Sequence, residues 1–269
     1  MELRPRHVAA WLIALAVTVV GCTGDDGQTA RELFPRPDSQ AGRSVTLVKV
    51  HIAAVEVPIG TAGESEILWG LLDREVMALD DELFLSANGL RVGVGPREDW
   101  HGLEDVLVDM SGRQYEPITV AGLPGAPVPV VVSQHDTTQT VFLVHADETI
   151  SGMDYPPGNY IFSLLLALDP DGRTLTVTAL PQVESSYRKP MVVSSRGGPA
   201  MVRRPITYNL YPLAFQVRIN KGDFIVIAPS KRAARETSAG RSFLVRDHGG
   251  VPVETILVIT PEIVTSQVE

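Results

Sequence analysis

Cysteine is nearly absent: the 269 residues contain one, Cys22. A disulfide within the chain is therefore excluded, as is a metal centre built on cysteine thiolates, so stability has to come from a packed core. Hydrophobic residues make up 44% of the sequence, enough to supply that core. Positive charge is the minority sign, with 23 Lys and Arg against 32 Asp and Glu and a net of −9. That balance argues against nucleic acid as a bulk partner, because phosphate binding needs a positive footprint. Long apolar runs are scarce too. One stands out, the thirteen residues 8–20. As a helix they rise only ~20 Å against the ~30 Å of a hydrocarbon core, too short for a stable membrane span.

The first 22 residues do carry a pattern. Arg4 and Arg6 form a positive head, the apolar run follows, and small residues close it, which describes a secretory signal. Val19-Val20-Gly21-Cys22 resembles a lipobox: an aliphatic residue at minus three, a small residue at minus one, then the Cys whose thiol takes a diacylglycerol thioether. Residues 1–21 are accordingly expected to be a signal peptide and Cys22 the lipidation site. The alternative, a buried Cys in a hydrophobic first helix, would leave both flanking signals unexplained. Thr23, where Asp retains lipoproteins in the inner membrane in some families, favours the outer membrane. Removal of Glu2, Arg4 and Arg6 with the signal leaves 248 residues (269 less 21) at a formal charge near −10, one large or two small domains. Residues 22–43 (CTGDDGQTARELFPRPDSQAGR) have almost no periodic apolar content and read as a lipid-anchored flexible tether.

The remainder divides by its hydrophobic period. Residues 45–57 are a β-branched strand stopped by Pro58-Ile59-Gly60. Residues 64–79 predict a helix, with Ile67, Leu68, Leu71, Leu72 and Met77 at three-to-four spacing. Asp80-Asp81 cap a shorter helix that ends at Asn88-Gly89. Residues 90–94 follow as a strand and 98–110 as a third helix. This order describes a small α+β domain, residues 44–114. From residue 115 onward, short β-branched runs at 128–132, 140–145, 160–168, 174–183, 215–219, 224–228 and 255–260 alternate with Gly/Pro/Asp turn clusters. They predict an antiparallel β domain, residues 115–269. Residues 185–204, basic and turn-rich, are expected to form a protruding loop.

Chemistry-bearing patterns are weak. Gly93-Val94-Gly95 resembles the opening of a dinucleotide loop, but Glu98 stands where the third Gly belongs and no parallel βαβ unit surrounds it. Ser186-Tyr187-Arg188-Lys189 matches a Ser-x-x-Lys pattern without the helix start and partner motifs that acyl-enzyme chemistry needs. His51, His101, His135, His145 and His248 lack metal-ligand spacing. His135-Asp136 and His145-x-Asp147 bracket one strand and read as surface residues. Asp169-x-Asp171-Gly172 fits a β-turn rather than a calcium loop. Two basic clusters, Arg188, Lys189, Arg196, Arg203 and Arg204, then Lys231, Arg232, Arg235, Arg241 and Arg246, read as solvated loops or a binding patch. The expectation is no enzyme, no cofactor and no metal.

From residue 160 to 264 the order of features resembles the C-terminal domain of bacterial secretins, the outer-membrane ring family of type II, type III and pilus machines. The carrying residues are a hairpin across Asp169-Pro170-Asp171-Gly172, then Pro181-Gln182-Val183-Glu184-Ser185-Ser186. A Gly-centred turn at Lys221-Gly222-Asp223 follows, then an echo of a Leu-Gly-x-Leu-Phe motif in Ala239-Gly240-Arg241-Ser242-Phe243-Leu244. Last is an aliphatic strand ending in Thr260-Pro261. The family's amphipathic membrane-inserting segment is replaced here by basic residues 230–236. The resemblance implies a secretin-like or sandwich-like β domain and a non-enzymatic part in a secretion- or pilus-type envelope assembly. Its partners would be the membrane through the lipid, other envelope proteins facing the periplasm, and copies of itself. The alternative is a ligand-binding periplasmic lipoprotein with a β-sandwich domain.

Overall fold

The computed structural model describes residues 43–268 apart from 74, 111, 115–116, 171 and 196–197. The signal peptide, Cys22 and the tether lie outside the described residues. The chain runs β1 (Arg43–Pro58), α1 (Thr61–Glu64), α2 (Glu66–Gly70), α3 (Leu79–Ala87), β2 (Leu90–Gly95), α4 (Trp100–Asp109), β3 (Arg113–Gln114), β4 (Ile118–Gly122), β5 (Pro127–His135), β6 (Gln139–Val144) and β7 (Ile150–Tyr155). It continues through β8 (Gly158–Leu168), β9 (Thr174–Ser195), β10 (Gly198–Asn209), β11 (Phe215–Asn220), β12 (Phe224–Pro229), α5 (Ala239–Leu244), β13 (Val245–His248) and β14 (Val251–Val268).

Two antiparallel sheets organise these elements. The first has the order β2-β12-β14-β1-β3, with β13 also on β14 and β4 also on β1; the second has the order β5-β8-β9-β10, with β11 also on β9. A third, β6-β7, is a separate hairpin. Strands β12 and β14 sit inside the first sheet, and β12 and residues 256–259 of β14 are apolar without alternation, the pattern of a strand buried on both faces. One face of that sheet (Val50, Ile225, Ile227, Leu257, Ile259) packs with Phe162, Leu164 and Val177 of the second sheet in the main core. The opposite face (Val55, Phe224, Val226, Ile256, Val258) packs under Leu68 and Trp69 of α2 and Leu103 and Leu107 of α4. The result is three layers: helices, sheet, sheet.

Expectation and structure part in four places. The proposed boundary between 114 and 115 does not separate two bodies: Arg43–Glu269 is one unit, and β1 pairs with β14 from Arg43↔Val268 to Pro58↔Val253. The β-rich architecture stands; a separate small α+β domain does not. The helix expected over residues 64–79 is two short ones. Ser65 accepts a hydrogen bond from Leu68 N (3.1 Å) and restarts the helix as α2. After Gly70 the chain turns, so that Asp73 and Val94 exchange backbone hydrogen bonds at 2.8 and 3.0 Å. The expected apolar stripe was false, for Ile67 is 70% exposed. Asp80 and Asp81 do not cap α3; they lie in its first turn, where carboxylates favour the helix dipole, and Ala78 is the N-cap. The loop expected over residues 185–204 is a strand hairpin, β9–β10.

One buried acid ties the layers together. Glu254, 2% exposed at the start of the apolar part of β14, accepts a hydrogen bond from Ala62 N at 2.9 Å. The backbones of Gly60 and Gly63 also bond to it. Burial pushes its carboxyl above the usual range, and the three backbone donors and the Glu64 charge are smaller influences.

Candidate functional site

Strand β9 is 22 residues long and changes neighbours along its length. Its first half pairs with β8 as far as Gly158↔Ser185 and with β11 from Thr174 to Ala179. The last tie to the body is Ser186 N donating to Pro157 O at 2.8 Å. Beyond it the partner strand is β10, and the ladder is irregular between Pro205 and Thr207, where the ribbon leaves the sheet. Such irregularities bend and twist a strand pair locally. At about 3.3 Å per residue, residues 186–195 project roughly 30 Å from the sandwich.

The side chains on this ribbon fall into two bands. Toward the tip, Met191 opposes Val202, Val192 opposes Met201 and Val193 opposes Ala200. Opposed residues share a face and successive pairs alternate, so the apolar band shows on both sides of the ribbon. Met201 is 75% exposed and Val192 67%. Toward the body the pairs become Pro190 with Arg203, Lys189 with Arg204 and Arg188 with Pro205. Directly opposed like charges such as Lys189 and Arg204 destabilise a strand pair. Among the described residues no carboxylate lies within ion-pair distance of these four cations. Arg196 lies outside the described residues. Pro190, Pro199 and Pro205 interrupt the row of N–H donors along the ribbon, which protects it against another strand adding to its edge. The ribbon therefore offers faces, not edges.

The separate hairpin β6–β7 is a second exposed element. The Phe142 ring lies over Gly152, and Ile150 and Met153 are exposed. It hangs on Asn88, the C-cap of α3, whose amide accepts from Val144 N (2.8 Å) and donates to Val144 O (2.9 Å) as a neighbouring strand would. Phe142 N donates to Thr237 O at 2.8 Å.

The structure scatters the chemistry-bearing residues of the sequence. Gly93 and Gly95 are in β2, and a Cβ on Gly95 would run into the Phe224 ring, so these glycines serve close packing rather than a phosphate. Ser186 and Lys189 lie three apart on a strand and point to opposite faces. His135 sits beside Ser242 O at 2.8 Å, edge-on to Tyr160 with ring centroids 4.6 Å apart. His145 instead lies 2.7 Å from Ser151 Oγ near the β6–β7 turn. In that turn the Thr149 hydroxyl, and then its backbone N–H, hold the Asp147 carboxyl below its ordinary value. Asp169 is bound by Arg218 at 2.7 Å and by the Thr176 hydroxyl. Among the described residues no group of three His, Cys, Asp or Glu is placed to hold a metal, and no helix is long and apolar enough to cross a membrane. Residues 239–244 become α5. Its Phe243 enters the core against Tyr160 (5.0 Å) and Phe162 (5.4 Å).

No protein-family model matches the chain, and no curated protein matches it. Solved structures that resemble it include secretin complexes. One is the Klebsiella pneumoniae type II secretion system outer membrane complex of PulD, PulS and PulC HR domain. It shares 11% identity and a TM-score of 0.25 over 88% of this chain, and the chain spans 42% of that one. Another is the InvG secretin domain β-barrel from the Salmonella SPI-1 injectisome, at 10% identity and a TM-score of 0.21, covering 84% of this chain and 63% of that one. These values describe a distant structural resemblance.

Proposed function

We propose that this chain is a non-enzymatic lipoprotein of the cell envelope, anchored through Cys22 and contributing its β-rich folded part to a secretion- or pilus-type assembly. The observation that carries the reading is the β9–β10 ribbon. Its apolar band needs cover from both faces, and its four unpaired cations need an acidic surface next to that cover. A neighbouring envelope protein or a further copy of the chain supplies both; a small ligand cannot span ~30 Å. The succession of features from residue 160 to 264 supports the secretin-like character of the domain that bears the ribbon. The test is a photo-crosslinking residue at Met201 in the full chain, expressed in cells with an intact envelope. A covalent adduct to an envelope protein or to a second copy is the expected result, weakened by Lys189→Glu with Arg204→Glu. A Met201 probe that captures no protein overturns the reading.

A further inference from the structure

A cleft opens on the side of the molecule where the β1–β14 ladder meets the start of α4 and the β11–β12 turn. Its volume is ≈ 400 Å³, within the range of small-molecule sites. Trp100 forms its wall, half-buried and held edge-on against Phe224 with centroids 5.4 Å apart. Two cations line it, Arg97 from the turn before α4 and Lys221 from the β11–β12 turn. Gly222, at φ +97°, places no side chain between that turn and Arg97, whose Cδ would lie 3.2 Å from a Cβ there. Among the described residues neither cation has a carboxylate within ion-pair distance. The cleft also carries one acid, Glu262, whose Oε2 is 3.4 Å from His51 Nε2, with His51 Nδ1 2.9 Å from the Thr119 hydroxyl, so its two cations outnumber its acid. Trp100 also lines a second groove, of ≈ 330 Å³, which runs along α4 over Ala53, Val55, Leu107 and Val258 and has Glu104 among its lining residues.

From this arrangement we infer that the cleft binds a small carboxylate with a flat or branched apolar body. The carboxylate lies between Arg97 and Lys221, and the body stacks on Trp100 and extends toward Leu107. Charge decides the class: Arg97 and Lys221 line the same cleft with no carboxylate at ion-pair distance among the described residues, and a guanidinium and an ammonium attract an anion and repel a cation. The aromatic wall and the groove behind it select against a bare inorganic anion, which would leave that apolar surface wet. Neither cation lies on the ribbon or on the β6–β7 hairpin, so this site is independent of the assembly reading.

The test uses the full chain in lipid nanodiscs, with naphthoate as the probe and naphthylmethylammonium, of like shape and opposite charge, as the control. Calorimetry against empty nanodiscs gives the affinity, and the Trp100 indole N–H resonance gives the place. Naphthoate is expected to bind saturably and shift that resonance, with the ammonium control showing neither effect. Arg97→Gln with Lys221→Gln changes two exposed side chains and is expected to weaken naphthoate by about tenfold or more. Equal binding of the two probes, no saturable naphthoate binding, or an affinity unchanged in the double variant each overturns the inference.

Discussion

At the scale of single residues, Glu254 is the most consequential polar group in the fold. The sequence marks it as an acidic residue before an aliphatic strand. Its role as a staple was not legible there, because the donor it meets, Ala62 N, is 192 positions away. Glu254→Ala would leave the backbone donors of Ala62 and Gly63, both buried, unmet and is expected to cost about 1–3 kcal/mol in urea denaturation. The pH dependence has a definite sign. Burial raises the folded-state pKa of Glu254 above its unfolded value, so the protonated form favours the folded state. The stability it contributes is complete below the ordinary glutamate range and is lost as pH rises through the folded value. Glu254→Gln removes that titration. Comparing the two proteins, the advantage of the native chain should shrink from mildly acidic to neutral pH; a difference constant across that range contradicts the assignment. Ser65 teaches the same lesson about reach. Its side-chain bond to Leu68 N divides α1 from α2, whereas in the sequence it sits inside an apparently continuous helical stripe.

Elements were legible where period and punctuation agreed. Strands β8, β11, β12 and the apolar half of β14 combine β-branched runs with Gly, Pro or Asp turns, and each forms where the pattern puts it. The ribbon was missed for the opposite reason. Pro190 and Pro199 and five basic residues read as loop, because the sequence does not show that prolines fall on an isolated two-stranded ribbon, where they are tolerated. Strand β14 gives the clearest expectation at this scale. Ile256, Leu257, Val258 and Ile259 are all at most 2% exposed, and full burial of such side chains contributes roughly 1.5–3 kcal/mol each. Their sum rivals the ~5–15 kcal/mol that typically separates folded from unfolded chains. A chain ending at Pro252 should therefore fail to fold. In the intact protein the amides of residues 256–259 should be among the slowest to exchange with deuterium; fast exchange there would show the strand to be peripheral.

For the whole molecule, the decisive fact is that β1 and β14, first and last in the described order, share a 16-residue ladder. Strand composition made both legible as strands, but pairing over such a separation leaves no local trace, so two domains were expected where there is one unit. The lipid-anchor expectation belongs to this scale as well. Cys22→Ser is expected to abolish lipid attachment and to move the protein from the membrane fraction to the soluble fraction, read by fractionation and metabolic labelling with a fatty acid. Retention in the membrane at unchanged processing would count against Cys22 as the anchor. The shared ladder also bears on how such a chain matures. Synthesis proceeds from β1 toward β14, so the first strand made is the one that waits longest for its mate. Until residues 251–268 emerge, β1 exposes a sixteen-residue edge to every other chain in the compartment, the condition under which nascent proteins aggregate. Folding of the first sheet is thus gated by the end of synthesis, and the interval before it closes is when a holdase would matter most to this protein.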